Sequence, residues 1–245
     1  MKTLVVNQPA GLGDLIFVQP ILEHFITHGF KIILPVIERY FLMAKKYLPR
    51  NGLEYVGTDE DYPFKSVFDN PNVLNDGIYT YLPLAHSHRH FNNCPLMLSK
   101  YVFSQVPVVD YRKYIPKIRD FNRELKLMNL MNIDNEKFCL VNKLFGTPPQ
   151  SSEREIGLPS EFGRIIEIDY REELQAEFHP FDWVGMIQAA NSIHFVQTSL
   201  SFIADIYAQK ETSLHLYDRV AKGNSPIFFR NVEFVQRNPN WVYHV

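Results

Sequence analysis

The first forty residues place a strand, a glycine turn, a helix and a second strand in succession, and few folds accommodate that order. Thr3 to Asn7 is a short apolar run suited to a buried parallel strand. The turn Pro9-Ala10-Gly11-Leu12-Gly13 follows. From Asp14 to His28 the apolar residues Leu15, Val18, Ile21, Leu22 and Phe25 recur at helical spacing, and Gly29 stands where a helix ends. Lys31 to Ile37 then reads as a second strand. Strand, helix and strand in this order form a βαβ unit, the building block of parallel sheets.

The alternation continues less regularly. A helix is predicted over Arg39 to Tyr47, strands over Leu53 to Val56 and Ser66 to Phe68, a loop over Asp69 to Asn93 and a helix over Ser99 to Val106. Pro107 to Lys117 carries two prolines and no strong period, and reads as a linker. Beyond it, Ile118 to Met131 is an amphipathic helix, Phe138 to Asn142 and Arg164 to Ile168 are strands, and Asp182 to Asn191 is a helix. Ile193 to Val196 is a strand, Ser199 to Gln209 a helix, Ser213 to Tyr217 a strand and Val232 to Val235 a last short strand. The predicted fold class is α/β, with two Rossmann-like lobes, residues 1–115 and 116–245, facing a central cleft.

Composition narrows the function classes. Of 245 residues, 46% are hydrophobic and 21% charged, which fits a folded globular protein and not a disordered one. The net charge of −2 gives no overall basic field toward nucleic acid or an anionic membrane. Lys45, Lys46 and Arg50, and Arg112, Lys113, Lys117 and Arg119, are local basic clusters that read as solvated faces. Cys94 and Cys139 fit neither metal-ligand spacing nor a disulfide framework, so a reducing cytoplasm is the expected setting. The N-terminal apolar run is too short for a signal peptide, and no run approaches the ~18–20 residues of a transmembrane helix.

The turn Gly11-Leu12-Gly13-Asp14 closes the first strand, where open parallel sheets bind ligands. Gly11 and Gly13 let the backbone turn tightly and come close to a ligand, and the helix start behind them favours an anion. This is not the dinucleotide fingerprint, since Ile16 occupies the third glycine position, and no Gly-Lys-Ser/Thr follows as in a P-loop. Asp14 has two compatible readings: a first-turn acid that stabilises its helix, or a carboxylate that takes a proton from a hydroxyl nucleophile.

Three further groups stand out. Thr198, Ser199 and Ser201 lie between a strand and a helix, where their hydroxyls and N–H groups either cap the helix or face a diphosphate. Lys143, just after a strand, is either an exposed loop lysine or the charge that neutralises a leaving diphosphate, with Arg154 a weaker candidate. His86, His88, Arg89 and His90 share one polar loop, read as a surface loop or an acceptor-binding loop. No cysteine or carboxylate nearby completes a metal shell, so no metal site is expected, while one of these histidines is an alternative base. Asp182 is placed to cap its helix, and Glu167 or Asp169 to meet a donor's base or ribose.

Gly11-Leu12-Gly13-Asp14, with apolar residues and Pro20 after it, resembles the N-terminal signature of the ADP-heptose lipopolysaccharide heptosyltransferases. Ala189-Ala190-Asn191, a strand, and Gln197-Thr198-Ser199-Leu200-Ser201-Phe202 are similar to that family's late motif, whose turn holds the donor's diphosphate. Phe138 to Thr147 resembles the first strand and loop of its second lobe. The resemblance implies a GT-B fold and metal-independent, inverting sugar transfer, with no cofactor beyond a nucleoside-diphosphate-sugar co-substrate. It also implies a donor held mainly by the second lobe, with Asp14 aligned to the catalytic carboxylate; the candidate donor-binding residues are Gly11 and Gly13 in the first lobe and Lys143, Gln197, Thr198, Ser199 and Ser201 in the second. Where the family has an acid, a glycine and a histidine in the late motif, this chain has Gln197, Ser199 and Phe202. These departures bear on the donor sugar more than on the fold.

The leading expectation is therefore a glycosyltransferase acting on a glycan or other hydroxyl acceptor, with His86, His88 and Arg89 on the acceptor side. A non-catalytic nucleotide or sugar-phosphate binding module is the alternative. A methyltransferase or epimerase is a third reading, weakened because Pro35, Val36 and Ile37, and no acid, end the second strand.

Overall fold

The computed structural model describes residues 2–8, 11–58, 79–85, 87, 91, 94, 96–133, 137–147, 150–158, 163–168, 177–219 and 240–244. The chain divides into two compact units, Met1–Ile118 and Arg119–Val245, each built on its own parallel sheet. The predicted strands at Ser66 to Phe68 and Val232 to Val235 lie outside the described residues.

In the first unit β1 (Lys2–Val6) leads to α1 (Leu12–Phe17), α2 (Gln19–Thr27), β2 (Phe30–Ile37), α3 (Glu38–Tyr47), β3 (Leu53–Thr58), β4 (Thr80–Leu82) and α4 (Leu96–Ser104). The strands are parallel in the order β3-β2-β1-β4. Leu4 pairs with Ile32 on one side and Thr80 on the other, so β1 is an inner strand. Its Leu4, Val5 and Val6 are buried with Leu15, Ile16, Ile21 and Leu22 from the helices and Ile32, Leu34 and Val36 from β2. An apolar run buried on both faces is what an inner parallel strand requires.

Two features differ from the sequence reading. The helix expected from Asp14 to His28 is two helices meeting at Val18. Pro20 has no N–H to give to the carbonyl four residues back, so the ladder breaks there, and Val18 O instead accepts from both Ile21 N and Leu22 N. The second is β4, which lies within the stretch read as loop. Its three residues are too few for a period, and its pairing with β1 makes it a strand.

In the second unit α5 (Phe121–Leu130) is followed by β5 (Cys139–Asn142), β6 (Leu144–Thr147), β7 (Gln150–Glu153), β8 (Ile165–Glu167), α6 (Val184–Ala189), β9 (Ser192–Val196), α7 (Ser199–Tyr207), β10 (Ser213–Tyr217) and β11 (Trp241–His244). The main sheet is parallel in the order β11-β10-β9-β5-β8, and β6 and β7 form an antiparallel pair. The helix expected from Asp182 begins as a short 3-10 segment, Pro180–Trp183, before α6. Asp182, fully buried, accepts from His179 N at 2.9 Å and pairs with Arg123 at 2.7 Å, which docks α5 on this segment. Trp241 on β11 donates its indole N–H to Asp205 of α7 at 2.8 Å.

Among the described residues no helix is long and apolar enough to cross a membrane.

Candidate functional site

In the first unit the site begins where β1 ends. Gly11, at φ 83°, turns the chain into α1 and puts Asp14 in the first helical turn. The Asp14 side chain is 26% exposed, and its Oδ1 lies 3.2 Å from Lys100 Nζ. Lys100 comes from α4 and is 1% exposed. An ammonium buried to that degree needs a full set of acceptors. Lys100 has Asp14 Oδ1, Gln8 Oε1 at 2.5 Å and Leu84 O at 3.4 Å. The second Asp14 oxygen, Oδ2, has no hydrogen bond among the described residues, and a Cβ on Gly11 would lie 2.3 Å from it. Tyr40 of α3 is close enough to feel this carboxylate: burial raises its phenol, Arg39 opposes that rise and Asp14 adds to it.

Behind the pair lies more buried polarity. Ser87 Oγ and Ser99 Oγ share a hydrogen bond of 2.7 Å next to Lys100 in sequence. Asn7, the residue after β1, is fully buried, and among the described residues neither its Oδ1 nor its Nδ2 finds a partner. His86, His88 and Arg89 lie outside the described residues, as does His90. Gly13 is the second residue of α1.

In the second unit the polar residues gather at the carboxyl ends of the adjacent strands β5 and β9. Asn142 ends β5, and its Nδ2 donates to Thr198 Oγ1 and to Leu144 O, each at 3.2 Å. Thr198 is the N-cap of α7. Ser199 is the first helical residue and half-buried. Of the two readings of Ser201, the capping one describes its contacts: the residue is fully buried, and its Oγ donates to Thr198 O at 2.7 Å while accepting from Thr198 N at 3.3 Å. It is part of the cap because a serine three residues into a helix reaches back to the N-cap backbone. Gln197 is held by its main chain, its N–H donating to Tyr217 O and its carbonyl accepting from Arg219 Nε.

Lys143 follows Asn142, half-buried, with Nζ 2.9 Å from Glu167 Oε2 at the end of β8. The pair puts one positive and one negative group beside the β5 end. Arg154 donates to Asp218 O at 2.5 Å and lies over the Tyr217 ring. Asp169 lies outside the described residues.

One face of this sheet carries an imidazole ladder that no sequence pattern announced. His194 and His215 are register partners on β9 and β10, stacked with centroids 4.2 Å apart. His215 Nδ1 and His244 Nε2 are 3.0 Å apart, and the His244 ring stacks on Tyr217 at 4.3 Å. His194, 2% exposed, is bonded to Ser192 Oγ and to Tyr217 OH, each at 2.9 Å. Burial first, then His215 and His244, push His194 down to about 4. Burial and His244 lower His215, and burial and Arg154 lower His244. The three rings are held by hydrogen bonds and by stacking. Among the described residues no group of three or more His, Cys, Asp or Glu side chains is arranged to hold a metal ion.

The residues that sequence reasoning missed are Lys100 and Gln8. Lys100 lies 86 positions beyond Asp14 and has no local signature; only the packing of α4 brings it there.

No family model matches the chain, and no curated protein matches it in sequence. Among solved structures it is similar to three glycosyltransferases. The glycosyl transferase family 9 protein from Veillonella parvula shares 11% identity over 88% of this chain and 79% of its own, with a TM-score of 0.49. The E. coli heptosyltransferase WaaC with ADP shares 9% over 99% of this chain and 92% of its own, at 0.45. The iron-containing dodecameric glycosyltransferase TibC from enterotoxigenic E. coli shares 10% over 88% of this chain and 57% of its own, at 0.42.

Proposed function

We propose that this protein is a metal-independent glycosyltransferase that moves a sugar from a nucleoside-diphosphate sugar to an acceptor hydroxyl with inversion, its two units acting as the lobes of a GT-B enzyme. The reading rests on the chain's own residues. The observation that carries it is Asp14: a carboxylate at the carboxyl end of an inner parallel strand, partly exposed, with one oxygen tied to Lys100 and the other unbonded among the described residues. That is the placement a general base needs.

In the proposed reaction the acceptor oxygen forms a bond to the anomeric carbon. The bond from that carbon to the donor's β-phosphate oxygen breaks, and its electron pair leaves with the diphosphate. The acceptor proton passes to Asp14. The leaving group is received at the β5 and β9 ends, where Thr198, Ser199 and the N-terminus of α7 offer donors, Gln197 flanks them and Lys143 supplies positive charge. Ser201 supports that turn by fixing the cap.

The test begins with thermal melts against UDP, GDP, ADP, CMP and dTDP, with and without a divalent cation. A ligand at 100 times its dissociation constant stabilises by about 2.7 kcal/mol, which a melt resolves. Nucleotide sugars of the base that binds are then assayed for release of the nucleoside diphosphate in the presence of hydroxyl acceptors. Metal-independent release that falls by orders of magnitude in Asp14→Asn, with nucleotide binding kept, is the expected result. Unchanged release in that variant removes Asp14 from the mechanism.

The alternative of a binding module without turnover is favoured by one observation: Phe202, at the position of the family's histidine, is a buried core residue. It predicts nucleotide binding and no sugar release from any donor.

A further inference from the structure

We infer that Lys100 is the positioning residue of this site: it holds Asp14 by Oδ1, so that Oδ2 is the oxygen that receives the acceptor's proton. This rests on the transferase reading above. Lys100 is 1% exposed on an ordinary helix of the first unit. For filling space there, an unbranched apolar side chain would serve without the desolvation of a charge. What the lysine adds is at its tip, and the tip is fixed from two sides. Gln8 Oε1, on the segment that continues β1, lies 2.5 Å from Nζ, and Leu84 O, just beyond β4, lies at 3.4 Å. Those two acceptors belong to the ends of neighbouring strands of one sheet. The ammonium is thus anchored to the same inner strand that carries the Gly11 turn, and Asp14 Oδ1 at 3.2 Å is its third partner.

The other oxygen has no hydrogen bond among the described residues and lies beside Gly11. With φ at 83° and no Cβ, this residue vacates the place where a methyl carbon would stand 2.3 Å from Oδ2. The two carboxylate oxygens therefore have separate work. Oδ1 is a handle, and Oδ2 is the face offered to a hydroxyl. Releasing the handle lets the carboxylate turn about its own bonds, and a displacement of about 1 Å in a reacting group costs on the order of 100-fold in rate. Lys100 acts through Asp14 and is not itself a catalytic residue.

The experiment compares wild type, Lys100→Met, Asp14→Asn and the double variant as full-length proteins. The assay is release of nucleoside diphosphate from a panel of UDP-glucose, GDP-mannose, ADP-glucose and dTDP-glucose, with thermal melts to establish folding. The expected result is a fall in kcat of about 100-fold in Lys100→Met with the donor KM unchanged. In the Asp14→Asn background the same change should alter the rate by less than about twofold, because a residue that acts through another has nothing left to act on. Gln8→Met, which leaves the charge pair but removes one anchor, should lower kcat several-fold, and it keeps the test decisive where Lys100→Met does not fold. Folded Lys100→Met, or folded Gln8→Met, with wild-type kcat overturns the inference and leaves the transferase reading standing. So does an equal loss with and without the Asp14 carboxylate. No release from any donor by the wild-type protein overturns both.

Discussion

Gly11 and Asp14 stand so close that a methyl carbon on the glycine would meet the aspartate's Oδ2 at 2.3 Å. The glycine also has a φ of 83°, where a side chain adds about 1–2 kcal/mol of strain. Gly11→Ala is therefore expected to lower stability by at least that amount in urea melts and to abolish turnover by displacing Asp14. On the proposed transferase reading, nucleotide binding should survive. A Gly11→Ala protein with wild-type stability and turnover would show that the turn is not built around this contact.

The imidazole ladder makes stability depend on acidity. His194 in the folded chain sits near 4, below its ordinary 6.5, because burial and its neighbours disfavour its charged form. Between those values the unfolded chain binds the proton and the folded chain does not, so stability rises with pH across that window. It is complete above about 6.5 and is lost as pH falls toward 4, by an amount on the order of 3 kcal/mol. His215 and His244 are lowered in the same sense and add to the slope. Urea melts from pH 4 to 8 should show this, and His194→Gln should flatten the curve. A parallel slope in that variant would place the acid sensitivity elsewhere.

Asp182 is fully buried and holds Arg123 together with the His179 backbone. Removing Asp182 leaves a partly exposed Arg123 that water can solvate, so the cost is that of the lost charge-assisted hydrogen bonds, about 1–3 kcal/mol. Asp182→Ala should lose about that much in equilibrium denaturation, without a change in nucleotide affinity. A loss below about 1 kcal/mol would mean that α5 is docked by other contacts.

On the proposed transferase reading, Lys143 and Glu167 give opposite forecasts for donor binding. Lys143→Ala should weaken the nucleoside diphosphate about tenfold, the worth of one charge-assisted hydrogen bond. Glu167→Gln releases the lysine from its 2.9 Å partner and removes a repelling charge, so affinity should hold or increase. Isothermal titration of both variants decides it: equal weakening in the two would make the pair a structural clasp.

Local period carried much of the fold. β1, β2, α3, β5, β9 and β10 follow from apolar runs at their observed places, because inner parallel strands and the helices covering them write burial directly into sequence. β11 was missed although Trp241-Val242-Tyr243 after Asn240 carries a strand-like alternation. The β6 and β7 hairpin was missed because Gly146 and the polar run Gln150-Ser151-Ser152-Glu153 offer no apolar face to read. Asp14 and Thr198 were legible because strand ends followed by turns are local patterns. Lys100 and the His194, His215 and His244 ladder were not, because each depends on register or packing between segments far apart in the chain.

α1 springs from the end of β1, and β1 has a neighbour on each side. Backbone amides of an inner strand exchange at the high-stability end of a fold. A carboxylate mounted there does not travel to meet a partner; the partner must be delivered to it. On the proposed transferase reading, the sheet beneath Asp14 can then be hardened for durability without moving the carboxylate.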